Sequence, residues 1–165
     1  MTEQFRENVA IIVSNSEGKV LLCARADNPG FEWQFPQGGI DKGESVLEAA
    51  YRELSEETGI KEVELIKEMP EGVKYYFPDA VKIKFSKNGN KNVGQNQHYV
   101  LFKLKNDKVR IDFETNPQEI EFKAYRWAEI EEAPKEIISF KKEAYQKAVN
   151  YFKPYLEAIK KAKNL

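Results

Sequence analysis

The segment Arg52-Glu53-Leu54-Ser55-Glu56-Glu57-Thr58-Gly59-Ile60 carries glutamates at i, i+3 and i+4. On a helix this spacing brings three carboxylates to one face, where like charges repel by about 0.2–0.5 kcal/mol per pair. They also sit towards the helix C-terminus, where the macrodipole disfavours negative charge. A cation has to offset that arrangement. Arg52 reaches Glu56 at i+4 and supplies one positive charge. A hard divalent ion such as Mg²⁺ accounts for the rest, because it takes oxygen ligands and keeps water positions that phosphate oxygens can fill. Taken alone, such glutamates read more simply as a solvated helix face. Their company favours the metal: few other Lys or Arg residues lie on that face, and Gly38, Gly39 and Gly43 make a tight loop just before the helix.

The elements that must position this face follow from the apolar pattern. Val46, Leu47, Ala50 and Leu54 form one stripe of a helix from Ser45 to Thr58, with Ser45 and Glu48 as a capping box and Gly59 as its stop. Ahead of it, Trp33-Gln34-Phe35-Pro36-Gln37-Gly38-Gly39 reads as a short strand, Trp33 to Phe35, that ends at Pro36. Asn8 to Val13 and Val20 to Ala24, separated by turn residues, predict a hairpin. Further strand candidates are 63–66, 73–77, 81–85, 98–104, 111–113 and 122–127. Phe140, Ala144, Ala148, Phe152 and Leu156 predict a final helix over about 140–161, which Pro154 kinks or ends. Strands, helix, strands and helix in that order predict an α+β fold built on a mixed sheet.

Composition narrows the function classes. The 165 residues suit one domain, 1–165, with 26 basic against 27 acidic residues, so no net charge draws the chain to nucleic acid or membrane and any anionic ligand is held locally. A single cysteine, Cys23, excludes an internal disulfide and suits a reducing compartment such as the cytoplasm. No signal peptide or membrane span is expected. P-loop, Rossmann, EF-hand and zinc-protease patterns are absent.

Residues 38–60 resemble a Nudix box: Gly38, Glu44, Arg52, Glu53, Leu54, Glu56, Glu57, Gly59 and Ile60 stand at every fixed position of that pattern. Within the family the chain is most similar to bacterial RNA pyrophosphohydrolases and dinucleoside polyphosphate hydrolases. Arg6-Glu7-Asn8-Val9, WQFPQGGID, Gly94-Gln95-Asn96-Gln97, Tyr125-Arg126-Trp127 and Ser139-Phe140-Lys141 carry that likeness, in order, from about residue 5 to 153. The resemblance implies an α/β/α sandwich in which the box helix and a C-terminal helix flank the sheet. It implies Mg²⁺ or Mn²⁺ held by Glu53, Glu56 and Glu57, with more than one ion once substrate is bound. Glu121 is expected as a fourth metal carboxylate, ahead of Glu119. Catalysis falls to Glu53, Glu57 and Arg52, with Glu57 slightly favoured as base.

The expected substrate contacts are Arg6, Gln37, Gly38, Gly39, Gln95, Gln97, Phe140 and Lys141, the last near terminal phosphates and Phe140 against a base. Tyr75, Tyr76 and Phe77 are expected in the core, and His98 in a structural role. The implied reaction converts 5′-triphosphate or diphosphate ends of RNA to monophosphate, a step that initiates RNA decay. Diadenosine tetraphosphate and related compounds are the alternative substrates. A non-catalytic nucleotide-sensing or RNA-binding domain is a third reading, which the intact glutamates argue against. The resemblance leaves room for an activating protein partner. Two stretches depart from the pattern: the loop 26–32, where Ala26 replaces an arginine beside the base, and the lysine-rich 78–93 with Lys82, Lys84, Lys87 and Lys91, whose bland reading is a solvated loop.

Overall fold

Val9 to Val13 are apolar without alternation, and all five have no exposed surface. A strand buried on both faces has to lie inside a sheet with layers on either side. In the computed structural model, which describes residues 2–27 and 32–164, this strand is β1 (Phe5–Ser14). It runs parallel to β7 (Gly94–Leu104), from Phe5 opposite Gly94 to Ser14 opposite Lys103. Every other pairing is antiparallel: β2 (Val20–Arg25), β3 (Trp33–Gln34), β4 (Gln37–Gly39), β5 (Val63–Glu68), β6 (Val73–Tyr76) and β8 (Phe122–Ala128) complete a mixed sheet with the central order β3-β2-β1-β7-β5.

The period of two along β1 and β7 sorts the core into two. Ala10, Ile12, Tyr99 and Leu101 pack under α4 (Lys142–Lys163), whereas Val9, Ile11, Val13, Val100 and Phe102 pack under α1 (Val46–Thr58). This is the expected α/β/α sandwich. A short α3 (Ala133–Glu136) leads towards α4. β1 changes partner along its length, pairing with β4 at residues 8–10 and with β2 only at Ser14. β4 therefore separates from β2 and β3 at one end of the sheet, and this is where the cleft described below opens.

α1 is fixed at both ends as its sequence predicts. Ser45 Oγ accepts from the Glu48 N–H and Glu48 Oε1 from the Ser45 N–H, both at 3.0 Å, while Gly59 closes the helix at φ 76°. Two expectations fail, and of the two offered for Pro154, a kink or an end, the end is excluded. Residues 81–85 are no strand but part of α2 (Asp79–Lys87): Pro78 precedes its first turn, Asp79 and Lys84/Lys87 match the helix dipole, and Val81 and Phe85 face inward at i, i+4. Residues 111–113 form an irregular cover for the α1 terminus, with the Asp112 N–H donating to Thr58 O at 2.8 Å. Pro154 lies inside α4 without ending it; both Pro154 and Asn150, whose carbonyl loses its helical donor, are exposed, so water can serve that carbonyl.

Candidate active site

β4 and α1 meet where neither can carry bulk. A methyl group on Gly38 would overlap the Glu53 carboxylate, and one on Gly39 would run into the Arg6 guanidinium. These two glycines form the edge of a cleft of about 560 Å³, lined among others by Arg6, Gln37, Gly38, Gly39, Arg52, Glu53, Glu56, Glu57, Gln95, Glu119, Glu121, Phe140 and Lys141. Residues far apart in the chain, from Arg6 to Lys141, thus share one site.

Arg52 organises the acidic end. Its Nε and Nη2 donate to Glu44 at 2.7 and 2.8 Å, its Nη2 also to Gly39 O at 2.9 Å, and its Nη1 to Glu53 at 2.8 Å and Glu56 at 3.3 Å. No local pattern in the residues marks Glu44 as the main partner. Hydrogen bonding from Arg52, helped by the Asp41 N–H, holds the Glu44 carboxyl down at about 2, so Glu44 is a fixed anion that orients the guanidinium. Arg52 in turn ties β4 to α1 and sets the direction of two glutamates.

Glu57 differs from its neighbours. The sequence places it on the polar face of its helix, yet only 9% of it is exposed, and its Oε2 has no hydrogen-bond partner among the described residues. Burial first, then the charges of Glu53 and Glu121, push its carboxyl up to about 10. Burial likewise raises Glu53, against the pull of Arg52. An orphaned buried carboxylate oxygen beside two further carboxylates is costly unless a cation joins it. The hard oxygen donors of Glu53, Glu56, Glu57 and Glu121 fit a divalent ion in chemistry. No finished cage exists among the described residues, where no three acidic side chains already converge as ligands and Arg52 occupies Glu53 and Glu56.

The opposite end of the cleft is aromatic. Phe140 lies 5.9 Å from Tyr75 and 6.4 Å from Phe77 between ring centroids, and Phe77 lies 5.1 Å from Phe85 of α2. Tyr75 and Phe77 are thus core residues and cleft wall at once, while Tyr76 is exposed. Arg6, Arg25 and Lys141 line the same cleft, Arg25 Nη1 lying 3.9 Å from Glu121 Oε2. Burial, with the Arg25 charge, lowers the Lys141 ammonium to about 8. Lys84 is near enough across the mouth to help hold the Asp27 carboxyl down, after the dominant hydrogen bond from Arg25, so α2 faces the end of β2.

Sequence reasoning missed Asn8, Arg25, Val81, Phe85, Asn90 and Asn116, all of which line the cleft. Arg25 had a usable signal, being the charged residue that closes the apolar run of β2. Ala26 is exposed and outside the cleft lining, whereas Arg25, one position earlier, lines it, and residues 28–31 of that loop lie outside the described residues. Of the expected substrate contacts, Gln97 alone stays away from the cleft: it is fully buried behind Gln37 and Asn8. His98 pairs with Glu7 at 3.3 Å, away from the site, as a structural histidine would.

A mixed sheet between two helical layers, with an acidic helix laid against a Gly-Gly strand, defines the Nudix class. Residues 4–148 match the NUDIX domain family, and the chain belongs to it. It is 44% identical over 155 residues to an RNA pyrophosphohydrolase of a Nitratiruptor species, covering 92% of this chain and 95% of that one. It is 37% identical to Nudix hydrolase 25 of Arabidopsis thaliana, covering 92% and 88%. Among solved structures, the E. coli dihydroneopterin triphosphate pyrophosphohydrolase superposes with a TM-score of 0.66 at 20% identity, over 88% of this chain and 97% of that one. A C. elegans Ap4A hydrolase gives 0.62 at 19%, over 90% and 98%. These two likenesses concern the fold. Nudix hydrolases generally use divalent metal ions, which agrees with the donor set on α1.

Proposed function

We propose that this chain is a pyrophosphohydrolase that uses Mg²⁺ or Mn²⁺ to convert 5′-triphosphate or diphosphate ends of RNA to 5′-monophosphate. One juxtaposition carries the reading: the carboxylates of α1 and Glu121 share a single cleft with an aromatic wall around Phe140 and with the cations Arg6, Arg25 and Lys141. That combination matches a substrate that joins a phosphate chain to a nucleobase. Relatives named RNA pyrophosphohydrolase, 44% and 40% identical over 92% of the chain, support it.

Glu53, Glu56, Glu57 and Glu121 would hold the cations. The chemistry these ions supply when bound is neutralisation of phosphate charge and activation of water. Arg6 and Lys141 bind and orient phosphate oxygens. Arg52 has its donors engaged and acts by positioning Glu53 and Glu56. Glu57 Oε2, the oxygen without an internal partner, takes the proton of the attacking water once its charge is offset, with Glu53 as the second choice. Phe140 stacks on the first base, an interaction worth about 1–3 kcal/mol.

Diadenosine polyphosphates are the second reading. They present the same phosphates and one base to this cleft, and a neighbouring hollow of about 300 Å³, lined by Arg25, Asp27, Glu32, Gln34, Ile138, Phe140 and Lys141, offers space for another. The direct test is incubation with 5′-triphosphorylated RNA and Mg²⁺ or Mn²⁺. Release of pyrophosphate with monophosphorylated RNA is expected; intact triphosphate with either metal would contradict the proposal.

A further inference from the structure

Four amide side chains occupy adjacent strands beside the cleft. Gln37 (β4), Asn8 (β1), and Gln95 and Gln97 (β7) share one face, because Ala10 pairs with Gln37, Arg6 with Gln95 and Asn8 with Gln97. Three of them line the cleft and the fourth lies behind. Their hydrogen bonds have one direction. Gln97 Nε2 donates to Asn8 Oδ1 at 2.8 Å and to Gln37 Oε1 at 3.2 Å, Gln97 Oε1 accepts from the Tyr99 hydroxyl at 2.5 Å, and Gln95 Oε1 accepts from the Tyr75 hydroxyl.

Each amide oxygen is therefore engaged from inside the protein, which leaves the NH₂ groups of Asn8, Gln37 and Gln95 for the cleft. Asn8 is the telling case. It has no exposed surface, yet its Nδ2 has no partner among the described residues. A buried donor left unmade costs about 1–3 kcal/mol. Such a cost is recovered if an acceptor arrives with the ligand.

We infer that Asn8, Gln37 and Gln95 form a wall of uncharged donors for the phosphate chain, held in orientation by Gln97, Tyr99 and Tyr75, and that Asn8 is a substrate-binding residue. The wall faces away from α1: Gly38, between Gln37 and Gly39, turns to the α1 side where Glu53 lies against it, while Gln37 and Asn8 turn to the other. Neutral donors suit this place. Arg6 already supplies a positive charge on this face, opposite Gln95, and an amide adds a donor for phosphate oxygen without adding charge that would compete with a divalent cation for the carboxylates. Gln97, which touches no ligand, is a positioning residue.

The inference rests on the phosphate reading of the cleft and is separable from it. The probe is an imido-bridged, non-hydrolysable nucleoside triphosphate with Mg²⁺, titrated by calorimetry. Asn8→Ala is expected to weaken binding by about 10- to 100-fold, and Tyr99→Phe, which removes only the hydroxyl that pins Gln97, by about 3-fold, both with an unchanged melting temperature. In ¹H–¹⁵N spectra the side-chain NH₂ signals of Asn8, Gln37 and Gln95 should shift on addition of the probe, and those of the remote Gln146 should not. Wild-type affinity in Asn8→Ala with unmoved amide signals would overturn the inference and leave the phosphate reading standing. Failure of the wild-type chain to bind the probe would overturn both.

Discussion

The two helices that border the cleft are held in opposite ways. α1 has a capping box, a left-handed glycine stop and buried Ala49, Ala50 and Leu54. α2 has no side-chain cap and no buried residue, and only Val81 and Phe85 pack on the core. The proposed mechanism places the chemistry on the first. Ligands for a cation and an attacking water have to be placed within a few tenths of an ångström, and only a helix fixed at both ends by neighbours does that. The loosely held helix lines the aromatic part of the cleft, where the proposed base stack is sequence-tolerant and substrate choice can vary. Changes to α1 and its supports should therefore cost turnover, and changes to α2 should cost selectivity.

The largest effect is expected from Glu57→Gln, which should lower kcat by about 10³-fold or more, since it removes a charge needed only when a cation and the transition state are present. Its effect on stability should have the opposite sign. A carboxyl raised from 4.5 to about 10 on folding contributes stability at low pH that is lost as pH rises from 4.5 towards 10, because the unfolded chain ionises first. In chelator at pH 8 the variant should melt about 3–6 °C higher than wild type, by calorimetry. A lower melting temperature would show that Glu57 is structural.

Gly38→Ala comes next. Its methyl group has no room beside the Glu53 carboxylate, so it should reduce kcat/KM by about 100-fold with a smaller change in KM, in steady-state kinetics. Phe85→Ala tests the other helix: KM should rise by about 3- to 10-fold at constant kcat, and the ranking of first bases should flatten. If kcat fell as far as in Gly38→Ala, the contrast between the helices would be lost.

The smallest effect is in pH. Lys141 loses its proton near 8 in the free protein, so kcat/KM should fall above pH 8 as a phosphate-binding cation disappears, and Lys141→Gln should flatten that limb. The same depressed ammonium adds stability above pH 10.5 that is lost as pH falls through 8.

The same contrast explains what was legible in the residues. α1 could be read end to end because its cap, apolar stripe and stop are local signals, and the glutamate spacing needs no knowledge of the rest. α2 could not, because Val81-Lys82-Ile83-Lys84-Phe85 alternates like a strand, and only the inward packing of Val81 and Phe85 decides that it is a helix. Pro154 left a kink and an end both open for a related reason: its cost depends on whether the orphaned carbonyl sees water, which sequence does not state. Asn8 and Arg25 are polar residues at the ends of apolar runs, Asn8 bonded to Gln97 on another strand, and Glu44 lies in the polar turn before α1, where nothing local marks it as the partner of Arg52. Gln97 was drawn to the substrate by its motif. In the structure it lies one layer behind.

Substrate choice is measured most directly by one competition: 5′-triphosphorylated RNA and diadenosine tetraphosphate in the same reaction with Mg²⁺, read as a ratio of specificity constants. A ratio well above one for the RNA is the predicted result. A clear preference for the dinucleotide would contradict it.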